Sequence, residues 1–157
     1  MADENDEPAW LYRDLVEDDL PWDQATQLTV KVFLERFTLH DSGWVGIFHN
    51  VAFHDTVTLC VRWDLVWLPS DVGPPRVRAA DWPYLLIKVV GANVVSTQHY
   101  DGDTYGCSRT IADAEVTEID GRQTLIISDV FGGNVTIVFV GDVYFLMLDR
   151  ARRVYPI

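Results

Sequence analysis

The sequence predicts a mainly β, α+β fold: a curved antiparallel meander sheet, or a partly open barrel, with one N-terminal helix. Three observations predict it. Val57, Leu59, Val61 and Trp63 alternate with Thr56, Thr58, Cys60 and Arg62, the two-residue period of a half-buried strand. Asp120-Gly121 stands between two strand-length runs as a two-residue hairpin signal. Phe131-Gly132-Gly133 and Gly141-Asp142 then separate further apolar runs of strand length.

Residues 1–22 read as an acidic arm, and residues 23–157 as a single β-rich domain. The arm also carries Trp10, Leu11, Leu15, Val16, Leu20 and Trp22, so it fits a short helix or a docking segment, closed by Pro21. Asp23 is a candidate N-cap for the next segment. In residues 24–39, Leu28, Val32, Phe33 and Phe37 give helical spacing, while Leu28, Val30, Val32 and Leu34 give strand alternation. Length and the cap favour helix; the β-branched residues favour strand.

Residues 43–53 form an apolar run, and His54-Asp55 a turn into the strand at 57–63. Pro69, Gly73, Pro74 and Pro75 make residues 64–82 a long ordered loop. Leu85 to Val90 and Asn93 to Thr97 are strands around Gly91, and residues 99–109 are a loop. Residues 111–119, Arg122 to Ser128, Asn134 to Val140 and Val143 to Asp149 read as a four-stranded meander. The near-continuous apolar content of the last two strands predicts burial on both faces.

A chain of 157 residues, 48% hydrophobic and 23% charged, can bury a core without staples. Its acidic first residues lack a basic start and an apolar run, so no signal peptide is expected. No apolar stretch approaches the roughly 18 residues of a membrane helix. The expectation is a cytoplasmic protein with no membrane partner. Cys60 and Cys107 fit two reduced thiols.

The net charge of −12 is uneven: nine of the 24 acids and one of the 12 bases lie in the first 23 residues. Nucleic-acid binding needs a basic footprint, which the chain lacks. Arg150, Arg152 and Arg153 are the one basic cluster, and beside an acidic arm they fit a self-neutralising end.

Two groups of residues are site candidates. His40, Asp41, His49 and His54 concentrate imidazoles and carboxylate within a short stretch, the donor types that ligate zinc, iron or manganese. The competing reading is turn chemistry, with Asp41, Ser42 and Asp55 bonding loose backbone groups. Trp44, Trp63, Trp67, Trp82 and Tyr84 form an aromatic group in which Trp67 and Trp82 bracket the Pro-rich loop, and Trp67, Trp82, Tyr84 and Trp44 are the binding candidates. Large aromatics there serve as interface anchors or pack the loop onto the sheet. The loop Asp101-Gly102-Asp103-Thr104-Tyr105-Gly106 lacks the spacing of a calcium hand or a phosphate loop. There is no nucleophile elbow, and no motif calls for a cofactor.

The passage Leu39-His40-Asp41-Ser42, followed by alternating strands and a Gly-rich last hairpin, resembles small bacterial β-rich proteins of the immunity-protein type found in polymorphic-toxin systems. The resemblance implies a non-enzymatic protein that binds and blocks a partner, and it assigns no functional residue. The sequence thus points to a protein-binding module whose acidity suits a basic partner. A metal-binding domain on the histidine group, and a homo-oligomer covering its tryptophans, are the alternatives.

Overall fold

Two strands with almost no polar positions explain the architecture. β4 (Tyr84–Val89) and β9 (Val143–Leu148) are neighbours near the middle of one antiparallel sheet, and most of their side chains are buried on both faces. The computed structural model describes residues 7–51, 55–75, 78–98 and 110–157.

The first sheet runs β1 (Thr26–Gln27), β9, β4, β3 (Thr56–Arg62), β2 (Gly43–Asn50), and β10 (Val154–Tyr155) also pairs with β9. The second runs β5 (Ala92–Gln98), β8 (Asn134–Phe139), β7 (Arg122–Asp129), β6 (Ile111–Ile119). A bridge between Gly43 and Thr110 ties the sheets at one edge. Among the described residues they do not close into a barrel.

Period-two alternation sorts the first sheet's side chains between two cores. On the inner face, Val57, Leu59, Val61, Leu85, Ile87, Val89, Val143, Phe145 and Met147 join Leu125, Ile127, Val135, Ile137 and Phe139 of the second sheet. Helix α2 (Val30–Arg36) closes this core with Val30 and Phe33, and Phe37 follows as its C-cap. Phe33 stacks on Phe145 at 4.1 Å between centroids, with Trp63 5.7 Å away. Each such side chain, fully buried, contributes about 1.5–3 kcal/mol.

The second helix supplies the outer core. α1 (Ala9–Glu17) lays Leu11 and Leu15 on the outer face, against Cys60, Tyr84, Leu86, Leu146 and Leu148. The acidic arm and the β-rich body therefore share a core. The C-terminal arginines hold the arm: Arg152 Nε donates to Asp14 Oδ2 at 2.7 Å, and its Nη2 donates to the carbonyl of Asp19 at 2.6 Å. Trp10 Nε1 donates to the carbonyl of Arg150 at 2.9 Å. Glu7 accepts from Arg62 and from the Tyr84 hydroxyl.

Three expectations are corrected. The single helix over 24–39 is shorter and starts later. Thr29, not Asp23, is the N-cap, its Oγ1 accepting from the Val32 amide at 3.1 Å. Residues 22–24 form a 3-10 turn, and Thr26–Gln27 pair with β9. The arm forms the short helix that its apolar residues allow, so two helices stand where one was expected. The four-stranded meander is three-stranded, because β9 leaves β8 at Gly141 and crosses to β4. Two chain segments make this crossing side by side, β4 into β5 at Gly91 and β8 into β9 at Gly141. The Gly141 amide donates to the Val90 carbonyl at 3.0 Å, and a Cβ on Gly141 would stand 2.3 Å from that oxygen. Only glycine lets the backbones approach so closely. Burial on both faces holds for β9; β8 alternates buried and half-buried positions.

Candidate functional site

α1 covers only part of the first sheet's outer face. Beyond its C-terminal turn the face lies open as a groove of about 950 Å³. Its floor follows from strand register. Tyr144 pairs with Lys88, Lys88 with Thr58, and Thr58 with Phe48, so these four form one row across β9, β4, β3 and β2. The adjacent row, Leu146, Leu86 and Cys60, belongs to the core under α1. One wall comes from Leu15, Val16 and Asp18 at the end of α1 and from Trp22 and Asp23 in the 3-10 turn. Asn50 and Val51 lie at the β2 end.

Asp18 organises the wall. It caps α1 in the left-handed region (φ 54°), a conformation Asp tolerates better than most residues, and its amide bonds the Asp14 carbonyl. Its Oδ1 accepts from Trp22 Nε1 at 3.0 Å, and its Oδ2 lies 3.4 Å from Lys88 Nζ. The same ammonium stands 5.1 Å from the centre of the Trp22 ring. A carboxylate and an indole face thus already hold one cation of this chain, by charge and by the ring quadrupole. The site combines apolar and aromatic surface with a wall whose carboxylate and indole hold Lys88.

The aromatic candidates do not form one surface. Tyr84 is completely buried under α1, which corrects its reading as a binding residue. Its hydroxyl bonds Glu7 and accepts from Arg150, and burial, followed by the bond to Glu7, pushes its pKa well above the ordinary tyrosine value. Trp44 and Trp82 are half-buried against the inner core, as loop-sealing packing requires. Trp67 alone is open, at 55% exposure, its Nε1 donating to Asp41 Oδ2 at 3.2 Å.

The histidine group is likewise divided. His40 Nδ1 donates to the Ala112 carbonyl at 2.8 Å, and its ring meets Trp67 edge-on at 5.4 Å between centroids. Asp41 is beside it, 3.5 Å from Nε2. His49 lies at the far end of β2, and the strand's length separates it from His40. His54 lies outside the described residues. Among the described residues no three His, Cys, Asp or Glu side chains are grouped to hold a metal. Cys60 is buried, and desolvation, with the nearby Glu7 charge, pushes its thiol far above the reactive range. Cys107 and the glycine loop at 101–106 lie outside the described residues.

Asp18, Trp22, Phe48, Lys88 and Tyr144 were not singled out in sequence. One signal was present: Lys88 is the only charged residue in the apolar run 84–90, and alternation puts it on the face of Tyr84 and Leu86. No family model matches the chain, and no curated protein or solved structure is significantly similar to it.

Proposed function

We propose that the chain is a non-enzymatic protein-binding module whose outer-face groove takes a cationic, partly apolar segment of a partner protein. The observation that carries this reading is an acidic wall beside an aromatic floor: Asp18 and Trp22 there hold the chain's own Lys88, and Asp23 stands exposed next to them. Apolar surface supplies affinity, and the acids select positive charge and speed encounter. The acidity of α1 and the turn after it, at Glu17, Asp18, Asp19 and Asp23, adds to that field. Blocking its partner is the form of this activity that the immunity-type resemblance implies, and the acidity suits a basic partner such as a nuclease.

A photo-crosslinking amino acid placed at Val51 tests the reading. Val51 is 69% exposed on the groove, while Ile119, 71% exposed at the tip of the β6–β7 hairpin, is a matched control. The expected result in the producing cells is one basic protein captured from position 51 and not from 119. Equal capture at both positions, or capture at 119 alone, contradicts the reading.

A further inference from the structure

Resting on that reading, we infer that the segment entering the groove is a short basic amphipathic helix of the partner, laid across the strands of the first sheet. Dimensions are the first argument. The floor row crosses four strands, three gaps of about 4.8 Å, or roughly 14 Å. A ten-residue helix is about 15 Å long and at least about 10 Å wide, a cylinder of roughly 1,200 Å³. The groove, at about 950 Å³ and open to solvent, is of the same order as that cylinder.

Backbone chemistry is the second argument. β3, β4 and β9 each have strands on both sides, so their amides and carbonyls are committed to ladders. An extended segment crossing them would find no ladder partner for its own backbone. A helix bonds itself and asks the floor only for side-chain contact, which Phe48, Thr58, Lys88 and Tyr144 offer. α1 already shows that this face is covered by a helix with leucines at i and i+4.

Charge sets the third. Asp18 and Asp23 stand on one wall; Lys88 lies against Asp18, and Asp23 is exposed. Val16, at 72% exposure, and Val51 continue the apolar surface at the rim. The matching helix carries apolar residues at i, i+3, i+4 and i+7 toward the floor and Lys or Arg toward α1.

Two synthetic fourteen-residue peptides of identical leucine and lysine content test this, one patterned with helical period and one strictly alternating. Each is titrated into the isotope-labelled full chain, reading the Trp22 indole and the Phe48 and Tyr144 amides by NMR. A leucine–glutamate helix is the charge control. The helical-period lysine peptide is expected to shift those signals and to bind at least about tenfold more tightly than the alternating one. Asp23→Lys, at an exposed position outside both cores, is expected to weaken it about tenfold, as is Tyr144→Ala. If the alternating peptide binds the groove equally well, the helix inference fails while the groove reading stands. If no peptide moves those signals, the helix inference fails, and the crosslinking comparison judges the groove separately. Equal binding of the glutamate helix overturns the charge assignment. Self-association through the same residues would make a second copy of the chain the occupant, and would overturn the inference too.

Discussion

Arg152 closes its guanidinium on the buried carboxylate of Asp14, Nε to Oδ2 at 2.7 Å, across 138 residues of sequence. The contact fastens the acidic arm to the C-terminus and holds α1 on the sheet, which builds one wall of the groove. Arg152→Ala leaves Asp14 with Arg13 alone and is expected to cost about 2–3 kcal/mol. Urea denaturation checks this as a lower midpoint at unchanged slope.

Acid is expected to loosen the same fastening. Burial alone would raise the Asp14 pKa, but the bonds from Arg152 and Arg13 outweigh it and hold the carboxyl below the ordinary value. Asp149 behaves alike: burial opposes, while bonds from the Arg153 amide and guanidinium and from Tyr155 lower it. Both folded values lie below the unfolded one, so this stabilisation is present above the unfolded pKa of 3.8 and is lost as pH falls through the folded values. Stability should fall below about pH 4 in the wild type and be less pH-dependent there in Asp14→Asn, itself weaker at neutral pH. A parallel acid decline in both proteins contradicts the assignment.

The Cys60 thiol reports on α1 directly. Under α1 it is inaccessible and protonated, so a Cys107→Ser chain should label slowly at neutral pH. Adding Arg152→Ala should speed alkylation several-fold, because local undocking of α1 uncovers the thiol. Unchanged labelling would mean that the apolar contacts hold α1 without the clasp.

The corner between the sheets should tolerate little. Gly141→Ala places a methyl 2.3 Å from the Val90 oxygen and is expected to cost roughly 3 kcal/mol. Gly43→Ala meets nothing within 4 Å and is expected to fall within about 0.5 kcal/mol of wild type. Thermal unfolding of the pair separates close approach from a general effect of losing glycine.

Legibility in the sequence followed the range of the forces. The Asp120-Gly121 hairpin is local backbone chemistry, and both residues adopt the positive φ expected, 52° and 77°. The strand at 57–63 was legible because its alternation is driven by burial on the inner face, although its outer face proved half covered as well. Gly141-Asp142 misled because a two-residue glycine turn signals a hairpin, whereas close packing against Val90 makes it a corner. The leucines of the arm were visible, but their target is assembled from residues far along the chain, Cys60, Tyr84, Leu86, Leu146 and Leu148. The groove was hidden for the same reason, since Phe48, Lys88 and Tyr144 come from distant strands joined by register, and Trp22 reaches them through Asp18 and Lys88. Among the described residues the two sequence clusters are divided because His49 lies at the other end of β2 from His40 and Asp41, and because Tyr84 faces α1.

The most direct test is quantitative affinity purification of the tagged wild type beside the Asp23→Lys and Tyr144→Ala variants from the cells that make the protein, washed at low and at high salt. The account expects one stoichiometric basic protein on the wild type, depleted at least about tenfold on each variant and weakened by salt. A partner retained equally by all three proteins, or one of acidic character, would contradict it.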